Sequence, residues 1–140
     1  MPRFQLTRRL RFSAAHRYHR PEWSDERNRA VFGPCANPHG HGHDYLLEVT
    51  VEAELDPATG FSADLGALDR VLREEVFDRL DHQHLNHAVP EFAPGGRIPT
   101  SENILLLVHQ WIEPRLEGAR LVCLRLHENP DFFVDYLPEG

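Results

Sequence analysis

The sequence predicts an α+β fold: a four-stranded antiparallel sheet with two helices on one face, in the order strand, strand, helix, helix, strand, strand. Three observations predict it. Apolar residues alternate with polar ones near both ends of the chain, which is the period of a half-buried strand. The middle of the chain changes to a helical period. Long stretches rich in Pro and Gly separate these patterned segments.

Phe4, Leu6, Leu10, Phe12 and Ala14 alternate with Gln5, Thr7, Arg9, Arg11 and Ser13, giving the first strand one apolar face. Residues 17–40 mix charges with Pro21, Gly33, Pro34 and Pro38 and read as a long loop, a length that in a small domain tends to carry function. The second strand runs from about His43 to Leu55, with Tyr45, Leu47, Val49, Val51 and Ala53 on one face. Asp56-Pro57-Ala58-Thr59-Gly60 ends it with turn residues. From Asp64 the stripe Leu65, Leu68, Leu72 and Val76 marks the first helix, which Ser62 or Asp64 can cap. The polar stretch 81–97, with Pro90, Pro94, Gly95 and Gly96, reads as another loop. Thr100-Ser101-Glu102 opens the second helix, whose apolar face is Ile104, Leu107, Val108 and Trp111 and which Pro114 should kink or stop. Leu121–Glu128 and Phe132–Leu137 are strand-like, joined by the hairpin residues Asn129-Pro130-Asp131.

A chain of 140 residues is expected to form a single domain, residues 1–140. Its 22 acidic residues outweigh 15 basic ones, all arginine, for a net charge of −7. That balance argues against a general nucleic-acid or anionic-membrane binder. The longest apolar run, Ile104–Val108, is far too short to span a bilayer. Met1–Leu6 lacks the apolar core of a secretory signal, and two cysteines suit free thiols in a reducing compartment, so a cytoplasmic location is expected. The unusual feature is ten histidines.

Three of these stand in His39-Gly40-His41-Gly42-His43, at the entry to the second strand. Residues i and i+2 of an extended chain project from one face, so His41 and His43 can reach one metal together. An open catalytic zinc site needs a third protein ligand. His16, at the end of the neighbouring first strand, is a credible donor. The competing reading is a flexible, solvated His-Gly run, and it fits His39 best. Cys35 lies just upstream and could ligate the metal, act as base or nucleophile beside it, or be a loop cysteine with no role. Cys123, in Leu121-Val122-Cys123-Leu124, reads as a small buried hydrophobe. Asp81-His82 follows the first helix, where a carboxylate can orient an imidazole for proton transfer, although Asp-His is also a common surface dipeptide. Glu128 ends the third strand and suits either a planar, amidine-like edge or an ordinary place beside a hairpin. Thr100, Ser101 and Glu102 could serve only as a helix start.

Taken in order, these pieces resemble the 6-pyruvoyl-tetrahydropterin synthase family, which includes the 6-carboxy-tetrahydropterin synthases of queuosine biosynthesis. The likeness runs from Phe12-Ser13-Ala14-Ala15-His16 through Cys35, His41-Gly42-His43 and Leu80-Asp81-His82 to Pro99-Thr100-Ser101-Glu102-Asn103 and His127-Glu128. It implies the tunnelling fold, in which ββααββ subunits assemble into a barrel, and so a homo-oligomer, expected to be a hexamer of two stacked trimers. Closure of that kind removes the unpaired edges of a lone sheet. It implies that His16, His41 and His43 hold a catalytic zinc, that Cys35 is the base, and that Asp81 and His82 relay protons. Glu128 would anchor a pterin, with Thr100, Ser101 and Glu102 lining the same pocket. The implied substrate is the small molecule 7,8-dihydroneopterin triphosphate and the implied reaction an elimination of triphosphate.

The spacing Cys35-x5-His41 looks like the pyruvoyl branch, which leads to tetrahydrobiopterin. Pro99–Glu102 and Leu80–Asn86 look like bacterial members, many of which serve the carboxy branch, where acetaldehyde is also released. His39, inside the cysteine-to-histidine gap, departs from the family pattern. A third reading is a metal- or pterin-binding homologue without catalysis, against which the intact Cys35, Asp81, His82 and Glu128 speak.

Overall fold

The computed structural model describes residues 1–138. In chain order the elements are β1 (Arg3–His16), α1 (Asp25–Phe32), β2 (His41–Glu54), α2 (Leu65–Leu72), α3 (Asp78–Leu80), β3 (Gln83–His84), α4 (Leu85–Ala88), α5 (Ser101–Ile112), β4 (Arg120–Asn129) and β5 (Phe132–Tyr136). β1 and β2 pair antiparallel along their full length, from Arg3↔Glu54 to His16↔His41. β4 pairs antiparallel with β2, and β5 with β4.

The sheet order is β3-β1-β2-β4-β5. The sheet therefore has five strands and is mixed, not the four-stranded antiparallel sheet expected, because β3 pairs parallel with β1 through Ala14↔Gln83 and Ala15↔His84. A strand of two residues carries no periodicity; only its long-range pairing defines it. The same stretch, expected to be loop throughout, also holds α4.

One face of the sheet is apolar. Phe12, Tyr45, Leu47, Val49, Leu124 and Leu126 are buried against Leu68, Val71, Leu72, Val76 and Leu80 of the first helical segment and against Ile104, Leu105, Leu107, Val108 and Ile112 of α5. Each such side chain contributes roughly 1.5–3 kcal/mol by leaving water. Asp64 caps α2 through Ala67 N–H at 3.0 Å, and Thr100 caps α5 through Asn103 N–H at 3.1 Å. A wider turn at Arg73–Phe77 links α2 to α3, and the chain tightens at Glu113–Arg115, where Pro114 ends α5. The opposite sheet face is polar, with Arg9–Glu48 at 2.9 Å and Arg125–Asp135 at 2.6 Å.

A bulge where β4 meets Thr50 and Val51 inserts Val122, so Leu121 and Leu124 both point inward although three residues apart. Cys123 consequently stands opposite Thr50 and is half-buried, not the core residue expected.

Residues 17–40 were expected to be a loop, yet they contain α1. Only Asn28 of this helix is buried, so no apolar stripe betrays it. Polar contacts hold it instead. Ser24 Oγ accepts from Arg27 N–H at 3.1 Å, and Asp25 and Glu26 in the first turn suit the helix dipole. Asn28 accepts from Arg20 N–H at 2.7 Å and donates to the carbonyl of Arg20 at 3.0 Å.

Asn86 acts likewise on the other irregular segment. It accepts from Arg17 N–H at 2.7 Å and donates to the carbonyls of Arg17 at 3.0 Å and Phe92 at 3.1 Å. Among the described residues no helix is long and apolar enough to cross a membrane. Asn86→Ala strands all these partners, so urea unfolding should show a loss of about 1–3 kcal/mol; an unchanged midpoint would show that Asn86 does not tie the two segments together.

Candidate functional site

Residues directly opposite each other in an antiparallel pair project from the same sheet face. His16 stands opposite His41, and Ala14 opposite His43, so the three histidines extend the buried row of Phe12, Tyr45 and Leu47 beyond the helices. Their rings are 4.9–5.0 Å apart, and one ring nitrogen of each lies within 4.8 Å of the other two.

The Nε2 atoms of His16, His41 and His43 are all buried and make no hydrogen bond. Buried polar atoms are normally satisfied, and three convergent imidazole nitrogens without partners fit a divalent metal. This set could hold a metal ion. Burial, reinforced by His43, His41 and His84, pushes His16 down to about 3. His43 is lowered mainly by burial, against an upward pull from Glu128. Both are therefore neutral near pH 7, with lone pairs free to ligate.

The ring of His16 is fixed by Tyr45, a buried residue that sequence reading placed only in the core. Tyr45 Oη lies 2.9 Å from His16 Nδ1. With Nε2 free to ligate, Nδ1 carries the proton and donates to Tyr45. Gly40 allows the approach: its φ is +71°, and a Cβ there would stand 2.6 Å from the carbonyl oxygen of His16. His39 lies outside the three-histidine cluster and is exposed.

β4 brings Glu128 to the same face, two residues beyond the buried Leu126. Its Oε1 is 3.3 Å from His43 Nε2 and 3.9 Å from His16 Nε2, without hydrogen-bond alignment. Tyr18 is a site residue that sequence reading missed. Its ring lies 4.6 Å from that of His16, and its hydroxyl is 3.5 Å from Glu128 Oε1. Burial and then Glu128, Cys35 and Glu102 drive its hydroxyl far above the usual phenol range, so it stays protonated as a donor. The available signal was its place two residues after His16, where an extended chain returns to the same face.

Cys35 sits half-buried in the short turn Gly33–Ala36, where its carbonyl accepts from Tyr18 N–H at 2.7 Å. Burial pushes its thiol up, and Glu128 adds to this. Asp81 and His82 form the expected pair: His82 Nδ1 is 2.7 Å from Asp81 Oδ2. Asp81 also accepts from Ser13 N–H at 3.0 Å, and these bonds hold its carboxyl below the usual range. His82 has φ +58° and its side chain is 82% exposed. It lines a shallow cleft with Ser13, His43 and Asp44, and Cys35 does not line that cleft.

Thr100 is engaged as the α5 cap, whereas Ser101 Oγ is buried without a partner. Glu102 is exposed in the first turn of α5, near enough to Tyr18 to affect its hydroxyl. The structure thus gathers His16, His41, His43, Glu128, Tyr18 and Cys35, with Glu102 at the margin. Asp81 and His82 lie along the β3 edge of β1, where His82 shares its cleft with His43 and not with Cys35.

The model of a protein family described as 6-pyruvoyl tetrahydropterin synthase matches residues 5–139. The human 6-pyruvoyl tetrahydrobiopterin synthase is 38% identical over 135 residues, covering 96% of this chain and 92% of the human one. A 6-carboxy-5,6,7,8-tetrahydropterin synthase of Rickettsia conorii is 27% identical over 147 residues, covering 94% and 98%. The structure of the Caenorhabditis elegans 6-pyruvoyl tetrahydropterin synthase superposes with a TM-score of 0.90 at 31% identity, covering 99% of this chain and 98% of that one.

Two outcomes follow from the geometry. Tyr45→Phe removes the partner of His16 Nδ1 and should weaken divalent-metal binding roughly 10- to 100-fold in a chelator competition; unchanged affinity would mean that packing alone fixes the ring. In the metal-free protein, His16 is neutral when folded but protonates near 6.5 when unfolded. The unfolded chain therefore binds more protons between pH 6.5 and about 3, so the stability His16 contributes is complete above that window and lost as pH falls through it. Urea midpoints should drop between pH 7 and 5, and His16→Asn should flatten the drop; an equal slope in both proteins would contradict this.

Proposed function

The chain belongs to the 6-pyruvoyl tetrahydropterin synthase family, and from that premise we propose that it is a lyase converting 7,8-dihydroneopterin triphosphate to 6-pyruvoyl-tetrahydropterin with elimination of triphosphate. The observation that carries the reading is the convergence of three unpartnered imidazole nitrogens beside Glu128, on a chain alike throughout to enzymes named for this product. The higher identity to the pyruvoyl relative, 38% against 27%, agrees with the Cys35-x5-His41 spacing and favours this branch over 6-carboxy-tetrahydropterin and acetaldehyde.

In this reading His16, His41 and His43 hold a zinc ion. When bound, zinc supplies Lewis acidity, polarising substrate oxygens and acidifying the neighbouring C–H. Glu128 takes the amidine-like edge of the pterin through paired charge-assisted hydrogen bonds. Thr100, Ser101, whose hydroxyl is buried without a partner, and Glu102 would line the same pocket. Cys35 accepts the proton from the side chain, which requires its raised thiol to meet a positive neighbour that favours the thiolate. His82, oriented by Asp81, would return a proton from the cleft it shares with His43.

The protein would act as a cytoplasmic homo-oligomer, a hexamer of two trimers. β3 covers only Ala14 and Ala15 of β1, leaving the rest of that edge and the outer edge of β5 to pair with neighbouring copies.

Incubation with dihydroneopterin triphosphate, followed by mass spectrometry, should show 6-pyruvoyl-tetrahydropterin and triphosphate without acetaldehyde; no turnover by the zinc-loaded protein would sink the enzyme reading. Cys35→Ala should keep zinc and lose turnover by about 10²–10⁴-fold, whereas His41→Ala should lose zinc. Full activity in Cys35→Ala would remove the cysteine from its role. Light scattering should give six subunits, and a monomer would refute closure of the edges.

A further inference from the structure

Glu128 is placed for two competing uses. Its side chain is largely buried, and its Oε1 atom lies 3.3 Å from His43 Nε2 and 3.9 Å from His16 Nε2. Donors that share one tetrahedral ion, with bonds of about 2.0–2.2 Å, stand roughly 3.3 Å apart. The carboxylate can therefore join the three histidines as a fourth ligand. Carboxylates are ordinary zinc ligands, and four protein ligands make a closed site, whereas a catalytic site keeps one position open. An open centre here requires that something hold Glu128 off the metal.

Among the described residues, one side chain hydrogen-bonds that carboxylate and no arginine pairs with it. The Tyr18 hydroxyl is 3.5 Å from Oε1, the same oxygen that faces the histidines. Hydrogen bonds of active sites are commonly long before ligands arrive and tighten afterwards.

The rest of Tyr18 is fixed without its hydroxyl. Its N–H donates to the carbonyl of Cys35 at 2.7 Å, and its ring lies 4.6 Å from that of His16. Phe32 of α1 meets the same ring edge-on at 5.9 Å and is itself stacked on Trp23 at 5.7 Å. Packing thus sets the ring, and the hydroxyl contributes a single donor aimed at a single carboxylate.

We propose that Tyr18 is a positioning residue that decides which use Glu128 serves: by donating to Oε1 it withholds that oxygen from the three-histidine centre, keeps the fourth coordination position open to substrate, and leaves the carboxylate to take the pterin. The part concerning the pterin rests on the proposed function. The withholding rests only on metal binding by His16, His41 and His43.

Tyr18→Phe removes the hydroxyl and keeps the ring, so the packing is retained. Cobalt(II) is the probe, because its visible absorption reports the ligands around it. The spectrum of the cobalt-loaded wild-type protein should change on addition of thiocyanate, which enters an open position. Tyr18→Phe should show no such change. It should also hold cobalt roughly tenfold more tightly in a chelator competition, the factor set by losing a hydrogen bond to a charged group. Glu128→Gln, alone or combined with Tyr18→Phe, should respond to thiocyanate as the wild type does and gain no affinity. A Tyr18→Phe protein with wild-type spectrum, thiocyanate response and affinity would overturn the proposal. So would a gain in affinity that survives in the double variant, because Glu128 would then not be the added ligand.

With zinc and dihydroneopterin triphosphate, Tyr18→Phe should fall by the same factor in kcat/KM. Closure of the centre in Tyr18→Phe without any turnover by the wild type would retain the role of Tyr18 and remove the proposed reaction. Wild-type turnover with an unaltered thiocyanate response in Tyr18→Phe would do the reverse.

Discussion

Because His16 pairs with His41 and Ala14 with His43, three imidazoles from two strands fall together on the core face of one sheet. A slip of one residue between β1 and β2 would send every side chain of the moved strand to the other face and scatter the set. The register is enforced by the apolar row Phe12, Tyr45, Leu47, Val49 and Val51, whose burial a slip would forfeit. The apolar row that holds the helices thus also sets the position of the histidines. Glu128 joins them because β4, beyond its bulge, keeps Leu124, Leu126 and Glu128 in phase on the same face.

Burial then decides the chemistry of these groups. It favours the neutral forms of His16 and His43, which are the forms that ligate metals. It also holds Tyr18 and Cys35 protonated, and Glu128 strengthens both effects. One carboxylate, at 3.3 Å from His43 and 3.5 Å from the Tyr18 hydroxyl, is therefore the shared electrostatic reference of the site. A thiol in such surroundings becomes a base only when a positive charge offsets that carboxylate, which couples any role of Cys35 to occupation of the three-histidine centre.

The walls of the site are made differently from its floor. Segments 17–40 and 81–97 have little apolar patterning and are fastened by amide side chains, Asn28 to Arg20 and Asn86 to Arg17 and Phe92. Such bonds satisfy irregular backbone without covering it, so polar and charged side chains remain free to face the cavities.

The sequence by itself determined the two long strands, the α2 and α5 helices, the β4–β5 hairpin, and the pairing of His41 with His43, because period and spacing are local properties of the chain. His16 and Glu128 were legible as candidates from their positions at strand ends. The short β3, the exposed α1 and the outward turn of Cys123 were not legible. Their causes are a long-range backbone pairing, polar caps without an apolar stripe, and a bulge that shifts phase by one residue. Tertiary structure alone decided that Tyr45 orients His16, that Tyr18 meets Glu128, and that His82 opens on a cleft with His43 which Cys35 does not line. Each of these joins residues from different elements, and a contact between elements exists only once the strands have paired and the irregular segments have been pinned against them.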